Sequence, residues 1–188
     1  MGRLVKGKSP LVVAFLIMLG YMGAAEAVEV VKDVDLEQYS GTWYEIARIP
    51  NKHQKDLVEV TSTFKPLGKG KYTLVNKGFK GSRKGEKKVL KSKVEIDDRN
   101  KTGDMKLRVY RFFTLGYKVI DLDKENYEYA LVTSDSKDYL WVLSKTPVMD
   151  EHDYNRMVLS AREKGFDVGR LERVPQKTNI ALANAASD

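Results

Sequence analysis

Few residues in this chain could do covalent chemistry. There is no cysteine among 188 residues, and the only histidines are His53 and His152, far apart in sequence. A disulfide framework, a thiolate zinc site, an iron–sulfur cluster and a cysteine nucleophile are therefore excluded, and a histidine-rich metal site is not expected. Asp97-Asp98 and Asp121-x-Asp123 read as turn residues rather than as acid–base pairs. No serine has a matching His/Asp arrangement and no glycine-rich phosphate loop occurs, so no enzyme activity and no cofactor are expected. His53 reads as an exposed loop residue. Asn100-Lys101-Thr102 has the form of a glycosylation acceptor but falls in a predicted turn.

Charge is the less ordinary signal. The formal net charge is +7, and between Lys65 and Lys93 eleven basic residues face one acidic residue, Glu86. A solvated hairpin face is the ordinary reading. The sharper reading makes Lys80, Arg83, Lys84, Lys87, Lys88, Lys91 and Lys93 a one-sided field for anionic lipid headgroups or lipopolysaccharide.

The N-terminus argues against nucleic acid as the target of that field. Arg3, Lys6 and Lys8 precede an apolar run from Leu11 to Met18, and Ala25-Glu26-Ala27 follows. This is the layout of a secretory signal peptide over residues 1–27, cleaved after Ala27; the run is too short for a span of about 20 residues. With no cysteine to carry a lipid, the mature chain is expected to be soluble, periplasmic and still basic.

From Gly41 to Ser144 the pattern alternates with period two and is cut by turn residues at hairpin spacing. Eight strands are expected: an all-β, antiparallel, up-and-down barrel wide enough for one small ligand. Strand parity puts Trp43, Glu45, Ala47 and Ile49 on the inner face, with Trp43 as a core plug. It also turns Val58, Val60, Phe64, Tyr72, Leu74, Leu90, Val94, Leu107, Val109, Tyr117, Tyr129 and Trp141 inward. These would line an apolar cavity or fill a solid core. A buried Glu45 would need a cation or hydrogen-bond donors.

The segments Tyr44–Ile49, Ala130–Val132 and Leu140–Leu143 are apolar on both faces and need an outer cover. Asp150 as N-cap, the stripe Tyr154, Met157, Val158 and Ala161, and Gly165 as a stop predict one α-helix over about 150–164 for that purpose. A short strand is expected between Phe166 and Arg173. The domain would then occupy residues 28–174, with a disordered tail over 175–188.

Tyr39-Ser40-Gly41-Thr42-Trp43-Tyr44-Glu45-Ile46-Ala47-Arg48 resembles the first motif of the lipocalins, in particular the bacterial outer-membrane and apolipoprotein D group. Asn76-Lys77-Gly78, Val119-Ile120-Asp121-Leu122-Asp123, Asp138 through Pro147 and Gly165-Phe166-Asp167 look like further family segments in the right order. The resemblance implies a lipid-binding barrel with a cavity. It also implies that Gly41, Trp43 and Lys145 form the closed end, Lys145 standing where the family usually has arginine. Two further departures are the missing lipid-bearing cysteine and the missing aromatic residue near His53.

The leading expectation is a carrier of fatty acid or lysophospholipid. A surface module for anionic membranes is the alternative. An enzyme on this barrel is the weakest reading, since enzymatic relatives rely on thiols. Some relatives form homodimers, but no patch in the sequence decides this.

Overall fold

The computed structural model describes residues 28–96, 103–110 and 113–177. The expected signal peptide, the Asp97–Asn100 turn with its Asn100 acceptor, and the tail beyond Lys177 lie outside the described residues.

The strands are β1 (Gly41–Arg48), β2 (Leu57–Gly68), β3 (Lys71–Lys80), β4 (Lys87–Ile96), β5 (Asp104–Tyr110), β6 (Phe113–Leu122), β7 (Tyr129–Thr133) and β8 (Leu140–Ser144). Each pairs antiparallel with the next, and β1 pairs with both β2 and β8, which closes the barrel. A two-residue strand, β9 (Glu172–Arg173), adds to β1. The expected eight-stranded barrel is thus the one observed. Some residues of turn-forming type lie inside strands. Pro66 and Gly68 belong to β2, and the turn falls on Lys69 and Gly70, both at positive φ. Gly78 lies inside β3, where a Cβ would come within 3.0 Å of Val60 Cγ2.

The helix α2 (Glu151–Glu163) forms where expected. Asp150 accepts a 2.8 Å hydrogen bond from the His152 amide, and Gly165 at φ 78° ends the helix region. Its Met157 and Ala161 pack with Ile46, Leu131, Leu140 and Val142, covering the strands that are apolar on both faces. A Ser160–Asp121 hydrogen bond ties helix to barrel, so Asp121 anchors α2, while Asp123 caps its turn through Glu125 N. The segment read as a strand from Phe166 is mostly a 3-10 turn, Val168–Arg170, before β9.

A short helix, α1 (Leu36–Tyr39), was not anticipated. Asp35 accepts from the amides of Glu37 and Gln38, and the Gln38 side chain donates back to Asp35. An acid followed three residues later by Gln is a capping signature that could have revealed it.

Bulges change the expected inner faces of β1 and β2, because an inserted residue moves every later side chain to the other face. In β1 the shift falls between Glu45 and Ala47. Arg48 thereby turns inward, and Ala47 and Ile49 pack outward with α2 rather than inward. In β2 the shift falls between Val58 and Thr61, with Glu59 at φ 48°.

The C-terminal segment fills the gap these bulges open between β1 and β2. Val174 N donates to Ile46 O, Glu59 N donates to Pro175 O, and Gln176 Nε2 donates to both Glu45 O and Val60 O. Gln176 is 2% exposed. The folded unit therefore runs at least to Gln176 and not only to Val174, because backbone groups of two strands depend on it.

Candidate functional site

One end of the barrel is closed by aromatic packing. Trp43 is fully buried and donates Nε1–H to Tyr39 O at 2.7 Å. The Tyr39 ring lies 4.8 Å from Trp43 and meets Phe64 edge-on at 5.4 Å. Lys145 crosses outside, its Nζ 4.3 Å from the indole centroid and bonded to the carbonyls of Tyr39 and Ser40. Burial lowers the Lys145 pKa from the ordinary lysine value. Gly41 at φ 103° lets the backbone pass; a Cβ there would lie 3.5 Å from Lys145 Nζ. Gly41, Trp43 and Lys145 therefore meet at this end of the barrel. Tyr39 and Tyr117 share a hydroxyl–hydroxyl bond of 2.8 Å, and burial raises both pKa values, so both stay neutral phenols.

Above this floor lies a cavity of about 700 Å³. Of the twelve residues expected inside, Val60, Leu74, Leu90, Leu107, Val109, Tyr117 and Trp141 line it. Phe64, Tyr72 and Val94 also belong to the inner cluster but pack with Trp43 and Tyr39 in the floor. Val58 does not line it, because the β2 bulge hands its place to Leu57. Tyr129 points outward: it alternates with the inward Ala130 and Val132, its hydroxyl bonds Arg156 of α2, and the Arg156 guanidinium lies 4.6 Å from its ring.

The open end carries a polar network absent from the sequence reading. Glu45, 1% exposed, accepts from Arg48 at 2.8 Å and from Gln54 Nε2 at 2.8 Å. The Gln54 oxygen accepts from Trp141 Nε1 at 2.8 Å and from Asn51 at 2.9 Å. Gln54 thus pins the β1–β2 loop to the cavity wall. Burial raises the Glu45 pKa, opposed by Arg48 and Gln54. Glu45 consequently has the cation and donors that its burial requires.

The rim is apolar and basic. Phe113 is 67% exposed, Leu115 47% and Leu90 37%, and all three reach the cavity. Lys88 shares the inner parity, opposite Gly78, lines the cavity edge and pairs with Glu86 at 2.5 Å. It therefore differs from Lys87, Lys91 and Lys93, which alternate to the outer face, and from Lys80, Arg83 and Lys84 around the β3–β4 turn. His53 is exposed at the mouth, and among the described residues no cluster could hold a metal ion. Ser62, Asn76 and Ser92 also line the cavity. Their parity with Phe64, Leu74 and Val94 was legible, but polarity kept them off the expected list.

A family model described as a lipocalin-like domain matches residues 34–176. The chain is a lipocalin. Its sequence is similar to the outer membrane lipoprotein Blc of Vibrio cholerae, at 32% identity over 89% of this chain and 97% of that one. It resembles the protein of the same name in Escherichia coli K12, at 36% over 79% and 83%. It is also similar to temperature-induced lipocalin-1 of Arabidopsis thaliana, at 30% over 89% and 92%. Among solved structures, insecticyanin of the tobacco hornworm Manduca sexta shares this lipocalin's fold with a TM-score of 0.65 at 22% identity, covering 82% of this chain and 87% of that one.

Proposed function

We propose that this lipocalin binds a fatty acid or lysophospholipid in its barrel and carries or stores it after export to the periplasm. The carrying observation is the cavity of about 700 Å³ with apolar walls and an open, basic rim. Apolar walls with a few placed polar groups suit an acyl chain, and Lys88 at the rim suits a carboxylate or phosphate. The curated relatives named outer membrane lipoprotein support an exported protein, as does the signal-like N-terminus. The sequence holds no cysteine, so contact with a membrane is assigned to surface charge. Titration with a fluorescent fatty acid, and mass spectrometry of lipids extracted from the protein purified from its exporting host, test the reading. Failure to bind any acyl ligand would overturn it.

A second reading concerns the outer surface. The exposed Phe113 and Leu115 share the rim with Leu90, which lies on the same strand as Lys87, Lys88 and Lys91. Basic side chains beside an apolar lip favour docking on an anionic bilayer. Sedimentation with phosphatidylglycerol vesicles should then weaken steeply with salt, and indifference to vesicle charge would remove this reading.

A further inference from the structure

Three polar side chains interrupt the apolar wall on neighbouring strands. Ser62 stands opposite Asn76, and its hydroxyl donates to Asn76 Oδ1 at 2.6 Å. That bond occupies the amide oxygen and leaves the Asn76 NH2 as a donor. Ser92 sits opposite Leu74 on β4, two residues along from Leu90, the partner of Asn76. Asn76 and Ser92 are thus diagonal neighbours on the inner face, a relationship that puts two residues about 7–8 Å apart with their Cβ atoms somewhat closer. Ser92 is 2% exposed and lines the cavity, and among the described residues its Oγ has no hydrogen-bond partner. A buried hydroxyl in that state is rare and calls for a partner supplied from elsewhere.

We propose that Ser92 and Asn76, with Ser62 holding the amide, form a neutral polar subsite that takes an uncharged oxygen carried along the ligand's acyl chain. The proposal rests on the acyl-ligand reading above and deepens it.

Charge and depth select that chemistry. Of the cavity-lining residues the lysines Lys77 and Lys88 are exposed, and Lys88 lies four residues from Ser92 on the same face of β4. Four residues of strand span about 13 Å. A headgroup held at Lys88 therefore keeps its phosphate or carboxylate at the rim. The ester carbonyl of a lysophospholipid stays near its phosphate and so remains close to the rim as well. An oxygen that reaches Ser92 lies well down the chain, as a mid-chain hydroxyl does. It can accept from the Asn76 amide and exchange a hydrogen bond with Ser92 Oγ, without bringing a charge into the barrel.

The test is calorimetric titration of the full protein with oleic acid and with ricinoleic acid, the same chain bearing a mid-chain hydroxyl. The expected result is tighter binding of ricinoleic acid, by about 2- to 10-fold for one added hydrogen bond. Ser92→Ala should bring the two affinities together, the preference being read as the ratio of the two acids' affinities within each variant. Asn76→Leu should do the same, and Ser92→Thr should keep a preference. Equal affinities in the parent, or a preference that survives Ser92→Ala and Asn76→Leu, would overturn the subsite while leaving the acyl-binding function intact. Failure of both acids to bind would instead overturn the function and the subsite with it. Unfolding midpoints guard against a folding artefact: Ser92→Ala removes only an unpartnered hydroxyl and should be at least as stable as the parent.

Discussion

Lys145 Nζ lies 4.3 Å from the centroid of the Trp43 ring and 2.5 Å from the carbonyl oxygen of Ser40. One cation therefore both covers the indole and gathers carbonyls at the end of α1, the segment that closes the barrel floor. Trp43→Ala should lower stability by about 3–5 kcal/mol, since it leaves a cavity at the floor. Lys145→Ala should cost about 0.5–2 kcal/mol for the lost cation–π contact, and Lys145→Arg should hold or raise stability. Ligand binding at the far end should persist in both Lys145 variants. Denaturant unfolding beside fatty-acid titration checks these outcomes, and a Trp43→Ala protein as stable as the parent would refute the placement of the floor.

Gly41 supplies the backbone freedom that lets this contact form. At φ 103°, with Lys145 Nζ 3.5 Å from where a Cβ would be, Gly41→Ala should cost about 1–3 kcal/mol through strain. The loss should appear equally in Lys145→Ala, because it originates in the backbone. A double-mutant cycle measures this, and strong coupling would trace the cost to the lysine instead.

Gln54 holds the mouth loop through Glu45, Asn51 and Trp141. Gln54→Leu strands the Trp141 indole N–H and one donor-served oxygen of Glu45, at about 1–3 kcal/mol. Faster amide exchange across the loop from Asn51 to Asp56 should accompany it. Exchange unchanged from the parent would show that the loop is held by other means.

Glu45 should make stability depend on pH. Burial raises its pKa above the ordinary 4.5, so in the window just above that value the folded chain retains a proton the unfolded chain has released. Stability should fall as pH rises through this window and level off above the folded value. Glu45→Gln should flatten the profile there, even though it weakens the fold by depriving Arg48 of its carboxylate. Unfolding midpoints at closely spaced pH values decide it: an unchanged slope in the variant would assign the effect to other groups.

The two tryptophans offer a separate readout. Trp141 lines the cavity while Trp43 is sealed in the floor. Acyl ligands should change emission in the parent and in Trp43→Phe, but not in Trp141→Phe. A signal retained in Trp141→Phe would place the ligand elsewhere.

Much of this molecule was readable from residue order. The alternation of Leu74 or Leu107 with polar neighbours, the Asp150 cap and the Gly165 stop each specify local geometry with local chemistry. The bulges were not readable in this way. Glu59 enters a positive φ without being glycine, so nothing at that position announces the inserted residue that turns Val58 away and brings Leu57 in. Tyr129 was misplaced for a related reason: an amphipathic ring suits a cavity or a helix interface equally, and only pairing with Arg156 across sequence chooses between them. The mouth network escaped because Gln54 gains its meaning from Trp141, a partner far along the chain. The short helix before Gly41 is the opposite case, since Asp35 and Gln38 carried a local signal.

Gln176 supplies, from its side chain, the donor that would otherwise belong to the next rung between β1 and β2, bonding Glu45 O and Val60 O just past the Tyr44–Thr61 pair. The seam between the first two strands is thus sealed by a residue that follows β9 in the chain. A chain emerging N-terminus first can pair its successive hairpins as they appear, yet the first strand waits for β8, β9 and this amide before both its edges are satisfied. Closure of the ring therefore requires segments that lie more than 90 residues after β1. A chain stopped short of Gln176 leaves Glu45 O and Val60 O without this donor and presents an unfinished edge between β1 and β2.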